Sequence, residues 1–177
     1  MTTAFLLLIL AACAPGLQPL YTESDTTFDP AFLGAWKAQK GKNSFVATRT
    51  GEFGYRIEYT DEGKVGVVIA RLVKIGGSLF ADLYPEELPA GNEFYRWHFL
   101  RVHTYAKVAA NGDHLSFDML DIDWFDKQGK KTNLPWTPFE AEGFVITAST
   151  TQLRAFFAKY VNDPKAFSSR SDWVKQN

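Results

Sequence analysis

Apolar and polar side chains alternate along several short segments of the chain, which are separated by turn residues. In one such segment Tyr55, Ile57 and Tyr59 share one face, while Arg56 and Glu58 share the other. This period of two is the pattern of half-buried β-strands. We therefore predict strands at 44–49, 55–60, 65–75, 79–84, 101–108 and 114–120, with 143–148 as the last strand.

The turns between these segments are typical of antiparallel hairpins. Gly63 lies in the turn at 61–64, Gly76 and Gly77 form the next turn, and Asn111-Gly112 lies in the turn at 110–113. Asparagine followed by glycine is a strong hairpin pattern. Aromatic residues, which favour strands, make up 15% of the chain. The expected fold class is all-β, an antiparallel barrel or sandwich rather than a parallel sheet.

One long helix is predicted near the carboxyl end of the chain, at about 150–162. Ser149 and Gln152 have the spacing of a capping box. Asn162 and Pro164 are expected to end this helix. Its apolar residues recur on one face, as in a helix that packs against a core: Leu153, Phe156, Phe157, Tyr160 and Val161.

The first residues form an apolar stretch, Phe5–Ala12, that ends at the only cysteine of the chain, Cys13. Eight residues of helix rise only about 12 Å, so the stretch is too short to span a bilayer. Its length suits the apolar part of a secretory signal. An alternative is an N-terminal helix or strand that carries a buried, unreactive cysteine.

The four residues Leu10-Ala11-Ala12-Cys13 resemble the signal of bacterial lipoproteins. The resemblance implies a signal peptide at 1–12 and a diacylated Cys13. Residues 13–28, which begin at this cysteine and are rich in polar residues and proline, are predicted to be a lipidated tether. The resemblance also implies a location in the bacterial cell envelope, anchored by lipid. Ala14 rather than aspartate after the cysteine favours the outer membrane, facing the periplasm. The membrane is then a partner through the N-terminal lipid.

The remainder, 29–177, is expected to be a single domain. Gly34-Ala35-Trp36 after a short helical turn, followed by hairpins and a helix, resembles lipocalins. That resemblance implies an antiparallel lipocalin-like β-barrel with an apolar ligand inside. Lipocalins place an arginine over the tryptophan, and Arg154 is the candidate here. The chain also resembles a group of uncharacterised bacterial lipoproteins, through "PLYTESDTTFDPAFLGAW", "KIGGSLFADLYPEE", "RVHTYAKV" and "STTQLRAFFAKYVNDPKAF".

Charge and chemistry narrow the possible functions. The net charge is -1, without a basic cluster, so we expect no nucleic-acid partner. His98 and His103 face opposite sides of a regular strand, so a metal site there would need a bulge or a carboxylate partner such as Asp118 or Asp121. The acidic stretch at 118–126 lacks the glycine and the closing glutamate of an EF-hand. We therefore expect no metal or other cofactor and name no catalytic residue.

The leading hypothesis is a small apolar ligand bound inside the barrel. Six aromatic residues are the candidate ligand-binding set: Trp36, Tyr55, Tyr59, Phe80, Trp97 and Tyr105. The second hypothesis is an envelope protein-protein interaction module with a filled barrel, and an enzyme ranks third. A cavity of at least about 300 Å³ would favour the ligand, whereas a filled interior would favour the interaction module. The connection at 84–97 is either a functional rim or a plain linking loop.

Overall fold

A computed structural model describes residues 14–87, 91–139 and 143–176 of the chain. Cys13 and the predicted signal peptide lie outside these ranges. The strands are β1 Thr26–Thr27, β2 Gly34–Ala38, β3 Ser44–Thr50, β4 Gly54–Asp61, β5 Lys64–Ile75, β6 Ser78–Pro85, β7 Thr104–Asn111, β8 His114–Leu120, β9 Trp136–Phe139, β10 Gly143–Ile146 and β11 Phe167–Lys175. The helices are α1 Glu93–Arg96, α2 Ile122–Lys127 and α3 Thr150–Tyr160, with 3₁₀ turns at Pro30–Phe32 and Gly129–Lys131.

Within the described ranges, eight antiparallel strands form a closed barrel. The order around the barrel is β5-β4-β3-β2-β11-β8-β7-β6, and β6 pairs with β5 to close it. Strand β1 continues the edge of β5 beyond β4, pairing Thr26 with Val73. The predicted fold class, an antiparallel barrel with one longer helix near the carboxyl end, is confirmed.

The strand that completes the barrel is β11, and the prediction that 143–148 is the last strand was wrong. Strand β10 pairs with β9 in a separate hairpin. Strand β11 lies between β2 and β8, where Lys175 pairs with Trp36 and Val174 with His114. Every contact that defines β11 is distant in sequence, and its serines and charged residues give little apolar alternation. Local pattern therefore could not identify it.

Trp36 anchors the apolar interior of the barrel at the end where Phe32 enters it. Its side chain is fully buried, and its indole N–H donates to the carbonyl oxygen of Phe32 at 3.2 Å. The ammonium group of Lys175 lies over the Trp36 ring, 5.3 Å from the ring centroid. Lysine on the last strand therefore occupies the place proposed for Arg154. Arg154 instead lies on α3 and forms an ion pair with Asp25.

A second apolar core lies outside the barrel, where α3 covers strands β5 to β7. The ring of Phe157 contacts those of Phe80 and Tyr105 edge to face. Ser149 caps α3 in a capping box with Gln152, as predicted. No helix among the described residues is long and apolar enough to cross a bilayer. Because the outer face is covered here, β5 to β7 bury side chains on both faces, which obscures their alternation.

Residues 14–28, here called the strap, cross this outer face and are part of the folded structure. Gly16 and His103 exchange two backbone hydrogen bonds, of 2.9 and 2.8 Å. On its other side, the strap pairs with β10, where the N–H of Ile146 donates to the carbonyl oxygen of Pro15 at 2.8 Å. Ala14 and Leu20 are buried in the second core.

The strap is also held by α3. The hydroxyl of Thr150 donates to the carbonyl oxygen of Pro19 at 2.7 Å. The guanidinium of Arg154 donates to the carbonyl oxygen of Leu20 at 3.2 Å. The described structure thus differs from the expectation of a tether at 13–28. The packed part of the chain includes residue 14, directly after Cys13.

Candidate functional site

The barrel interior, where the sequence predicts a ligand, is filled by side chains. The cavity in the interior measures about 20 Å³ and is lined by apolar groups, including Phe45, Ile57 and Phe117. That volume holds roughly one water molecule. A ligand pocket typically measures about 300–1,000 Å³. As far as the described residues form it, the interior therefore has no room for an apolar ligand.

The six aromatic residues proposed to line one ligand cavity are divided among three environments. Trp36, Tyr55 and Tyr59 belong to the barrel interior. Phe80 and Tyr105 point outward into the core beneath α3. Trp97 lies on the surface, with 72% of its side chain exposed. The structure does not bring the set together around one space.

The interior aromatic residues are engaged in packing and hydrogen bonds. Tyr55 stacks on Phe28, with 5.0 Å between ring centroids, and its hydroxyl donates to the carbonyl oxygen of Asp29 at 2.9 Å. The amide of Asn43 donates to the hydroxyl of Tyr59 at 2.6 Å. These contacts fix the rings within the core.

Two polar side chains are buried among the described residues, Asp82 and His103. Atom Nδ1 of His103 lies 2.6 Å from Oδ1 of Asp82, and the backbone N–H of Leu20 donates to Oδ2 at 2.6 Å. His103 also lies against the ring of Tyr84, 4.5 Å between centroids. The sequence allowed His103 to be a metal ligand or a surface or hydrogen-bonded strand residue, and it did not identify Asp82 as its partner. The pair joins the strap to the barrel wall.

Tyr105 completes this polar group beneath the strap. Its hydroxyl donates to the carbonyl oxygen of Gln18 at 2.5 Å. A side chain at position 16 would overlap this hydroxyl, so glycine is required for the close approach of the strap. Burial, and secondarily the negative charge of Asp82, raises the pKa of Tyr105 above its usual range. The arrangement places a buried acid, an imidazole and a phenol together beneath the strap.

The raised pKa of Tyr105 predicts a loss of stability at alkaline pH. The folded state favours the neutral phenol, so its contribution is complete below the unfolded pKa of about 10 and falls as pH rises beyond it. Urea midpoints measured between about pH 8 and 11 should therefore decline at the upper end. Tyr105→Phe should start from lower stability and show a shallower decline, whereas Leu20→Ala should keep the wild-type slope. Equal slopes in wild type and Tyr105→Phe would contradict the assignment.

The described residues contain no group of three or more histidine, cysteine, aspartate or glutamate side chains that could hold a metal. His98 is exposed, and Nδ1 of His114 lies 3.4 Å from the side-chain amide nitrogen of Gln39. The two proposed carboxylate ligands have other partners. Asp118 accepts two hydrogen bonds from Arg170, of 2.7 and 2.8 Å, and Asp121 caps α2.

An open hollow of about 370 Å³ lies beside α2, outside the barrel. Its lining includes Trp124, Lys127 and Lys165. Asp121 also borders the hollow, and its carboxylate accepts hydrogen bonds from the backbone N–H of Trp124 and the hydroxyl of Ser168. Both carboxylate oxygens of Asp121 therefore hold hydrogen bonds from within the protein.

The most unusual part of the described surface is residues 92–100, here called the aromatic segment. It follows β6 and leads into His103. Asn92 caps the single helical turn α1 by accepting a hydrogen bond from the N–H of Tyr95 at 2.9 Å. Five large apolar residues within it are exposed: Phe94, Tyr95, Trp97, Phe99 and Leu100.

The geometry described above is the basis for any assignment of function. No protein-family model, no curated protein and no solved structure matches the chain. The function is therefore inferred from the filled barrel, the strap and the surface.

Proposed function

We propose that this chain is a non-enzymatic, lipid-anchored protein of the bacterial cell envelope that acts through its outer surface. The observation that carries the proposal is the filled barrel, whose interior cavity measures about 20 Å³. A barrel without a ligand space is a rigid scaffold for surface contacts. Of the two leading hypotheses, this observation favours the interaction module over the ligand carrier.

The anchor and the location rest on the sequence. Leu10-Ala11-Ala12-Cys13 resembles a lipoprotein signal, and two or more acyl chains hold a protein stably on a membrane. The proposed location is the outer membrane, facing the periplasm, and the proposed partner is another component of the envelope. The closed antiparallel barrel, with Lys175 over Trp36, supports a fold relationship to lipocalins without their ligand cavity.

Native mass spectrometry of the full chain tests both parts of the proposal. The protein would be produced in a bacterium, extracted from membranes with detergent and measured folded and unfolded. We expect a mature chain that begins at Cys13 and carries acyl groups, with no further small molecule bound. We expect the acyl mass because of the resemblance to a lipoprotein signal. We expect no bound small molecule because the barrel interior is filled.

Cys13→Ser is the matched control, since it removes the thiol that lipid attachment requires and should abolish the acyl mass. A mature protein that retains Met1 would refute the anchor. A stoichiometric apolar molecule, retained in the folded state and released on unfolding, would refute the filled scaffold and restore the ligand carrier.

A further inference from the structure

We propose that the aromatic segment inserts its apolar side chains into the interfacial region of a lipid bilayer, as a second membrane contact beside Cys13. The inference deepens the proposed function and rests on it, because the lipid at Cys13 would bring the segment to the bilayer. Four features of the described residues carry it: exposure, internal hydrogen bonding, composition and position.

Exposure is concentrated in this segment. Among the residues that it describes, the structure shows seven exposed large apolar residues, and five of them lie between Phe94 and Leu100. Trp97 is 72% exposed and Leu100 70%. Contiguous exposed apolar residues mark sites of interaction with proteins, ligands or membranes. Isolated residues such as Val46 carry no such meaning.

The segment satisfies much of its own backbone, as a peptide at the edge of hydrocarbon must. The N–H groups of Arg96, Trp97 and His98 donate to carbonyl oxygens within the segment, at 3.0 to 3.2 Å. Ring contacts are also internal. Phe94 lies 6.2 Å from Trp97 between centroids, and Tyr95 lies 4.7 Å from Phe99. The segment is thus a compact unit that presents its rings outward.

The composition of the segment matches the interface between lipid headgroups and acyl chains. Tryptophan and tyrosine are enriched at this level of a bilayer because they combine an apolar ring with a polar group. The charges of the segment are balanced, since Glu93 opposes Arg96. An apolar contact rather than attraction to anionic headgroups should therefore dominate. A zwitterionic phosphatidylcholine surface should be sufficient.

Position distinguishes the bilayer from a protein partner as the occupant. The described structure begins at Ala14, directly after Cys13. Cys13 is three residues before Gly16, which pairs with His103. Leu100 lies three residues before His103. Three extended residues span at most roughly 11 Å, so both Leu100 and Ala14, the first described residue after Cys13, lie within about that distance of the Gly16–His103 pair. An acyl chain at Cys13 would leave the segment close to the membrane surface.

The base of the segment is fixed to the barrel. The guanidinium of Arg101 donates to the carbonyl oxygen of Glu86 at 3.1 Å and lies over the ring of Tyr84, 4.9 Å from its centroid. The antiparallel pairing of Gly16 with His103 sends the two chains away from each other. Two separated contacts on a rigid body would restrict its rotation on the membrane, which a single acyl anchor leaves free.

Quenching of Trp97 by brominated lipids tests the proposal. The full acylated protein would be reconstituted into phosphatidylcholine vesicles that carry bromine at a shallow or a deep position along the acyl chains. Interfacial helices lie about 5–10 Å into the headgroup boundary, so we expect stronger quenching by the shallow bromine. Trp97→Phe should abolish this component and leave the other tryptophans as the background, while the protein stays on the vesicles.

A triple variant, Phe94→Ser with Trp97→Ser and Leu100→Ser, should stay anchored through Cys13, keep the wild-type thermal midpoint and lose the shallow quenching. Val46→Ser, at an exposed position of β3, is the control and should leave the quenching unchanged. Anchored protein without quenching that depends on Trp97 would overturn the inference and leave the anchor intact.

The remaining outcomes separate the two proposals. A chain that carries no acyl group but shows shallow Trp97 quenching would refute the anchor and support the segment as a membrane contact. A chain with neither would refute both. A self-associated species that the triple variant dissociates, again without quenching, would assign the segment to a second copy of the chain and overturn the inference.

Discussion

Asp82→Ala should lower the free energy of unfolding by about 3 kcal/mol or more, because it leaves two buried donors without an acceptor. The carboxylate faces His103 Nδ1 at 2.6 Å and the N–H of Leu20 at 2.6 Å, and it is 1% exposed. Each unsatisfied buried group costs about 1–3 kcal/mol. Urea denaturation followed by tryptophan fluorescence would measure the change.

Two further variants make this result specific to the buried pair. Asp82→Asn keeps one acceptor oxygen and should lie between Asp82→Ala and the wild type. Asp113→Ala removes an exposed carboxylate from the turn between β7 and β8 and should change stability by less than about 0.5 kcal/mol. If the two alanine variants were equally stable, the polar group beneath the strap would have no structural role.

Leu20→Ala should lower the free energy of unfolding by about 2–5 kcal/mol, the usual cost of deleting a buried leucine side chain. Leu20 is fully buried, and its backbone bonds to Asp82 on one side and to Arg154 on the other. The same urea experiment applies. If residues 14–28 were a free tether, this substitution would have no effect on stability.

Gln18→Ala is the matched control for Leu20. Gln18 lies in the same strap, but its side chain is exposed, and its hydrogen bond to Tyr105 comes from the backbone carbonyl. Stability should therefore change by less than about 0.5 kcal/mol. A large effect at both positions would mean that the strap is sensitive to any substitution. A small effect at both would favour the tether.

Most barrel strands could be predicted because the residues that specify them are close together in the sequence. Alternation in β4 and glycine turns at 61–64 and 110–113 specify hairpins without reference to the rest of the chain. The capping box at Ser149 similarly specifies α3 from its own residues. The closing strand β11 has no such local pattern, since within 167–175 Phe167 and Trp173 are its buried apolar residues. Its place depends on pairing with β2 and β8.

The candidate ligand set failed to assemble for a different reason. The outer face of β6 and β7 is covered by α3 and the strap, so neighbouring residues are buried on opposite faces. Phe80 lies outside and Ala81 inside, and Tyr105 lies outside and Ala106 inside. Hydrophobicity alone cannot tell which of these residues face the interior. The alternation of alanine with aromatic residues does indicate it in part, because the alanines face inward.

The strap was missed because backbone atoms make most of its contacts. Its proline and glycine residues suggest an irregular linker, and two of its buried side chains, Ala14 and Leu20, form no periodic pattern. The bonds to His103, Ile146 and Thr150 join residues that are far apart in the chain. Contacts between residues so far apart cannot be predicted from the pattern of a short sequence segment.

If Cys13 carries lipid as proposed, the packed strap also implies an order of events during biogenesis. A peptidase that cleaves before Cys13 needs the flanking backbone extended in its cleft, yet Ala14 is buried and Gly16 is paired with His103. If Cys13 is the modified residue, acylation and cleavage must therefore precede docking of the strap. Folding would then depend on maturation, because the chain could complete its outer core only after the processing enzymes release it.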